Sequence, residues 1–254
     1  MGLVIPLLII FALYYFDNKV KDKSQIESRA GLTVMGVIGH NDKKENIVIS
    51  KYPKSLISEG FRSIRTNLQY IGGQKKKNNR ILITSTVGGE GKTFCSLNLA
   101  SVLAYAGKKV IILGLDLRKP KLHLDFDISN DIGLSNYLAG VKSLEEVIHD
   151  TYIENLYIIP AGPSPPNPSE LILSKEMDDL LEILDDQYDY VILDTPPVGI
   201  VTDGTILMGK VDVNLYVVRQ DYSRLQYLDS IKDLMGKNDL SNVYAVLNDF
   251  RAGK

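Results

Sequence analysis

The residues best equipped for chemistry lie between Thr84 and Thr93, where the chain reads TSTVGGEGKT. Gly88, Gly89 and Gly91 free the backbone to turn its N–H groups inward around an anion. A helix starting at the lysine would add the positive end of its dipole. Lys92 has the reach to meet the outer phosphates of a nucleoside triphosphate, and the Thr93 hydroxyl stands where a divalent cation is ligated. Gly88, Gly89, Glu90, Gly91, Lys92, Thr93 and Phe94 are therefore the expected nucleotide-binding run, with ATP and Mg²⁺ the expected ligands. The run departs from GxxxxGK[ST] at one place, where Thr86 stands in the position of the first glycine.

Phosphate chemistry also needs acidic groups near the metal and the nucleophile. Asp194 ends the apolar run Tyr190–Leu193 in VILDTPP and is expected to hold the cation. The competing reading is a turn aspartate at a strand end, which Pro196 and Pro197 would favour. Asp116 follows a second apolar run in VIILGLDLRKP, where a carboxylate can accept the proton of an incoming hydroxyl. Arg118 and Lys119 either neutralise transferred charge or are solvated surface cations. Asp203 reads as a helix cap or as a group leaning toward the outer phosphate. Asn248 ends the last apolar run, a place where related folds often contact the adenine. Cys95 reads as a small core residue. His40, His123 and His149 lack ligand spacing, and no cysteine cluster supports a zinc site.

The elements that must position these groups follow from periodicity. Short apolar runs at Ile81–Thr84, Val110–Leu113, Leu156–Pro160, Tyr190–Leu193, Val213–Val218 and Val243–Leu247 read as strands buried on both faces. Helical spacing is expected at 58–70 with Ser58 as cap, at Thr93–Ala106 before Gly107, at Leu144–His149 and at Ser169–Leu184. Alternation of this kind predicts an α/β fold, a mostly parallel sheet flanked by helices, of the P-loop NTPase class. Gln74–Arg80 is a basic, flexible stretch.

The 254 residues suit one such domain with a short appendage. A net charge of −2 argues against nucleic acid as the main partner. The single cysteine excludes an intrachain disulfide. Residues 2–16 read GLVIPLLIIFALYYF, uncharged, and Lys19, Lys21, Lys23 and Arg29 follow. The run is shorter than the roughly 20 apolar residues that cross a bilayer. Its charges follow the apolar run and no small-residue cleavage site closes it, which argues against a secretory signal. The expectation is the end of a transmembrane helix at 1–16, with a basic flank holding the rest on the cytoplasmic side of the inner membrane. A juxtamembrane linker at 17–52 comes next, with one extended piece at Leu32–Ile38, and then the catalytic domain at 53–254. A buried core helix is the competing reading of the apolar start.

Together these residues resemble the bacterial tyrosine kinases of the Wzc and CapB type. The resemblance runs from about Ser50 to Asn248. It comprises the phosphate loop at 86–93, the second acidic motif at 110–120, the Walker B strand at 191–197 and the segment AGPSPPNPSEL at 161–171. That last segment carries no catalytic group and is a recurring marker. The resemblance implies a kinase domain that transfers the ATP γ-phosphate to tyrosines on the tail of a neighbouring subunit. Lys92, Asp116 and Asp194 would be catalytic, with Thr93, Asp116 and Asp194 around the metal. It also implies service to capsular or exopolysaccharide synthesis and export, with the proteins of that machinery as partners. Glu59, Arg62 and Arg65 have EX₂RX₂R spacing on roughly one helix face. The resemblance makes them a homo-oligomer contact that closes a ring; without it they read as a solvated face with an intrahelical ion pair. The hydrophobic start matches family members in which the kinase follows the second of two membrane helices.

Two departures stand out. The family has Asp-x-Asp in the second motif, whereas this chain has Gly114-Leu115-Asp116, and residues 248–254 hold no tyrosine cluster. Two other functions share the motifs. One is a ParA/MinD-like ATPase, whose signature lysine would fall at Val87. The other is a nucleotide-binding scaffold without kinase activity.

Overall fold

The computed structural model describes residues 18–71, 80–199 and 203–252. Short runs of β-branched and apolar residues make the strands β1 (Val34–Gly39), β2 (Arg80–Thr84), β3 (Val110–Gly114), β4 (His149–Asp150), β5 (Leu156–Ile159), β6 (Tyr190–Asp194), β7 (Val213–Arg219) and β8 (Val243–Phe250). They form one sheet in the order β1-β8-β7-β2-β6-β3-β5-β4. Every pairing is parallel except that of β4 with β5. Alternate side chains feed two cores. Leu82, Ile111, Leu113, Val191 and Leu193 point to one face, and Ile81, Ile83, Val110, Ile112 and Ile192 to the other. Burial on both faces is why the central strands read as continuous apolar runs.

The helices are α1 (Lys23–Ala30), α2 (Val48–Lys51), α3 (Leu56–Leu68), α4 (Lys92–Ala104), α5 (Leu134–Leu138), α6 (Leu144–Val147), α7 (Pro168–Ile172), α8 (Lys175–Gln187), α9 (Asp203–Met208) and α10 (Leu225–Lys237). The α/β expectation holds, with differences in detail. Residues 18–52 are not a linker outside the domain. β1 pairs with β8, setting Val34 against Ala245 and Val37 against Leu247, and Ile26, Leu32, Met35 and Ile38 are buried. The chain is bridged to the far end of the domain even earlier, by Val20 N–H to Ser223 O at 2.8 Å and Leu225 N–H to Asn18 O at 2.7 Å. Helix α3 is capped by Ser55, whose hydroxyl accepts the Ser58 N–H at 3.2 Å, while Ser58 itself is buried. The helix expected over 169–184 is two, α7 and α8, because Ser174 adopts extended angles and turns the chain. The one expected to end at His149 stops at Val147, and His149 joins β4. The apolar run at 1–16 and residues 74–79 of the basic stretch lie outside the described residues, while Arg80 opens β2. Among the described residues no helix is long and apolar enough to cross a membrane.

The strand order positions the site. β6 lies between β2 and β3, so Asp194 sits level with Ile83 on one side and Gly114 on the other. The carboxyl ends of these three strands open on one crevice, where ligands of parallel α/β sheets bind.

Candidate functional site

Leaving β2, the chain turns through residues 85–91 and enters α4. Gly89 and Gly91 take left-handed angles, with φ of 87° and 97°. A Cβ on Gly91 would also lie 2.1 Å from Asn248 Nδ2, so only glycine fits. Every carbonyl of this loop accepts a hydrogen bond. Thr86 O takes one from Gly199 N–H at 3.1 Å, Val87 O from Ser85 Oγ at 2.8 Å, and Gly91 O from Cys95 N–H at 2.9 Å. Gly88 O takes one from the Tyr222 hydroxyl, Gly89 O from the Arg219 guanidinium and Glu90 O from the Asn248 amide, each at 2.9 Å. The N–H groups from Gly88 to Thr93 donate to no group among the described residues. Paired carbonyls on the outside and unpaired N–H groups at a helix start make a nest for an anion.

Two residues of the run serve the loop itself. Glu90, expected among the nucleotide contacts, turns its carboxylate inward. It accepts the Val87 N–H at 2.8 Å and the Ser223 hydroxyl, and burial raises its pKa. Its backbone N–H is the part left for a ligand. Thr86, in place of the first glycine, pairs its hydroxyl with that of buried Tyr216.

Lys92, Thr93, Asp116 and Asp194 do come together, lining one cleft of about 340 Å³ with Gly88, Gly89 and Gly91. Asp194 is buried, and each of its oxygens is held: Oδ2 accepts from Thr93 Oγ1 at 2.8 Å and Oδ1 from Ser96 Oγ at 2.9 Å. Burial raises its pKa to about 6, against the two hydroxyls and Lys92, which favour the charged form. Lys92 is 9% exposed; burial lowers its pKa, and Asp194, Glu90 and Asp116 pull it back. Asp116 leaves β3 on a backbone hooked to β6 by Leu115 N–H to Asp194 O at 2.9 Å. It is half-buried, and its Oδ1 accepts Lys119 N–H at 3.0 Å. Lys119 lines the cleft mouth, whereas Arg118 reaches Ser169 Oγ at 3.2 Å and so ties this wall to the 161–171 segment.

The donor set suits magnesium. That ion takes one or two carboxylates, a hydroxyl and substrate phosphate oxygens instead of a closed protein cage. Thr93, Asp194 and Asp116 supply such oxygens, and the described residues hold no trio of acidic, histidine or cysteine side chains that would make a cage.

Asn248 and Phe94 flank a second recess on the outer side of the loop, with His40, Asn41 and Asn46. Asn248 nevertheless uses its amide nitrogen on Glu90 O, so it holds the loop as well as facing the recess. Phe94 packs against Phe61 of α3 at 5.9 Å between ring centroids. Glu59 and Arg62 pair within α3 at 2.5 Å, on its outer side with Arg65. The Asp203 side chain lies outside the described set. Sequence reading missed Ser96, Arg219, Tyr222 and Ser223. Ser96 was legible, four residues after Lys92 on the same helix face. The others come from a turn roughly 130 residues away in sequence, and no local pattern points to them.

A family model described as an AAA domain matches residues 78–234. The chain is 34% identical over 211 residues to tyrosine-protein kinase YwqD of Bacillus subtilis, covering 83% of this chain and 89% of that protein. It is 37% identical over 222 residues to tyrosine-protein kinase ptk of Acinetobacter johnsonii, covering 83% of this chain but 30% of that protein. The chain thus spans nearly all of one relative and under a third of the other. The solved kinase domain of Escherichia coli tyrosine kinase ETK aligns with a TM-score of 0.86 and 31% identity, over 92% of this chain and 96% of that one. The cell-division ATPase MinD of Pyrococcus furiosus aligns less well, with a TM-score of 0.54 and 26% identity over 66% of this chain and 69% of that one.

Proposed function

The chain belongs to the bacterial protein-tyrosine kinases of the CapB and Wzc type, and from that premise we propose that it uses Mg²⁺-ATP to phosphorylate tyrosines on neighbouring copies of itself, in the service of capsular or exopolysaccharide synthesis and export. The observation that carries this reading is the convergence of Lys92, Thr93, Asp116 and Asp194 on one cleft at the mouth of the anion nest.

The nest N–H groups and Lys92 grip the polyphosphate. Asp116 accepts the proton of the incoming tyrosine hydroxyl, and Lys119 and Lys121 at the cleft mouth offset charge on the transferred group. Thr93, Asp194 and Asp116 would hold Mg²⁺, which when bound neutralises charge on phosphate oxygens. Among the described tyrosines, Tyr52, Tyr70, Tyr105 and Tyr152 are exposed and available as acceptors, whereas Tyr188 and Tyr216 are buried and the Tyr222 hydroxyl is engaged with Gly88 O. The outward stripe of Glu59, Arg62 and Arg65 is the contact through which copies would assemble into a ring. Residues 1–16 would hold that assembly at the inner membrane, beside the polysaccharide machinery.

The rival ATPase reading lacks its key group, since Val87 offers no ammonium where a signature lysine would stand. The test is mass spectrometry of the chain after incubation with Mg²⁺-ATP. Phosphotyrosine that disappears in Lys92→Met is the expected result. Free phosphate without any phosphotyrosine would overturn the proposal in favour of a simple ATPase.

A further inference from the structure

Three consecutive carbonyls of the phosphate loop are tied outward from one corner of the fold. Tyr222 holds Gly88 O, Arg219 holds Gly89 O and Asn248 holds Glu90 O, each at 2.9 Å. A trans peptide unit is planar, and its C=O and the following N–H point opposite ways. Anchoring these three oxygens on the outside therefore aims the N–H groups of Gly89, Glu90 and Gly91 toward the cleft. We infer that Tyr222 and Arg219, with Asn248, are positioning residues for the nucleotide phosphates, which fix the donors of the nest before the ligand arrives. This rests on the loop being the nucleotide site, as proposed above.

The physical need is specific. Gly88 and Gly89 are exposed, and glycine accepts angles on either side of the backbone map. Either peptide could flip, and a flipped unit would present an oxygen to the phosphate where an N–H should stand. The anchors make the flip costly. Tyr222 acts from behind, since it lines neither the cleft nor the recess beside Asn248. Its ring lies 5.1 Å from the Arg219 guanidinium, and a Cβ added to Gly89 would come within 2.8 Å of its hydroxyl. Arg219 divides its fork, giving Nε to Asp249 Oδ2 at 2.8 Å and Nη1 to Gly89 O. A lysine has one head group and cannot serve both.

The test compares ligands that have phosphates with one that lacks them, by calorimetry on the full chain. In Tyr222→Phe, which keeps the ring and removes one hydroxyl, binding of Mg²⁺-ADP should weaken roughly three- to tenfold. Pyrophosphate binding should weaken in step, and adenosine binding should be unchanged. Arg219→Lys, whose side chain also lines the recess beside Asn248, should weaken pyrophosphate binding in the same way. A merely structural role would lower ADP and adenosine together, and that result, or an ADP affinity equal to wild type, overturns the inference. Should the wild-type chain bind neither ADP nor pyrophosphate, the nucleotide reading itself fails and the positioning role goes with it.

Discussion

On the β2 wall of the cleft, each carbonyl from Thr86 to Gly91 has its own donor, Glu90 is buried beneath the turn, and Lys92 is almost fully enclosed. On the β3 wall, Asp116 is half-buried and its carboxylate takes a bond from the backbone N–H of Lys119, while Arg118 reaches outward to Ser169. The first wall is rigid by construction and the second has room to adjust. The difference matches two tasks. A polyphosphate is held best by dipoles already aimed, because reorganising them during reaction costs free energy. A proton acceptor has to meet hydroxyls that arrive on another polypeptide, and small adjustments of its carboxylate help it do so.

The largest test of this contrast is Lys92→Met. It removes the only side-chain cation enclosed among Asp194, Glu90 and Asp116 in the described cleft. Phosphotyrosine formation in a single turnover should fall roughly a thousandfold or more, and Mg²⁺-ADP affinity should fall with it. Asp116→Asn should behave differently. Its turnover should drop roughly a hundred- to ten-thousandfold, while ADP affinity measured by calorimetry without magnesium stays close to wild type. Parallel losses in both quantities would make Asp116 part of the grip and break the division between the walls.

How much of this was readable beforehand follows the same division. The grip was legible because a P-loop is local: glycines, lysine and threonine within ten residues, a strand before and a helix after. The central strands were legible because burial on both faces leaves a nearly continuous apolar signature at 110–113, at 190–193 and, interrupted by Asn214, at 213–218. What holds the loop from behind was not legible. Arg219, Tyr222 and Ser223 lie on a polar turn whose meaning depends on β7 lying beside β2. β1 was seen as an extended piece, yet its membership of the sheet depends on β8, about 210 residues later. α1 misled for a related reason, since KSQIESRA buries only Ile26 and Ala30 and looks like a solvated linker.

Between the walls stands Asp194, and its titration gives a pH test. Burial raises its pKa to about 6, whereas an unfolded aspartate titrates near about 3.9. The folded chain thus binds this proton more tightly than the unfolded chain does. Stability of the nucleotide-free protein should fall as pH rises from about 4 to about 6 and level off above. Asp194→Asn should flatten that slope in thermal unfolding measured across pH 4 to 8. If the slope survives in Asp194→Asn and vanishes in Glu90→Gln, the buried charge that matters lies under the loop instead of between the walls, since burial raises Glu90 as well.

The smallest expected effect comes from Gly114→Asp, which gives the β3 wall the carboxylate that related kinases carry. Gly114 is level with Asp194 and lines the cleft. A Cβ there would lie 3.1 Å from Ala161 N and 3.5 Å from both Ile159 O and Leu122 Cδ2. The Ala161 backbone must therefore yield by a few tenths of an ångström, and Gly114→Ala measures that strain alone, at about 1 kcal/mol of stability. The aspartate should show the same loss together with a magnesium half-saturation lowered by roughly threefold, the value of one more carboxylate at a partly solvated site. Identical magnesium titrations for the alanine and aspartate variants would mean that the cation sits toward Thr93 and Asp194 and away from β3. The rigid wall would then hold the metal as well as the phosphates, and Asp116 would keep the proton as its sole concern.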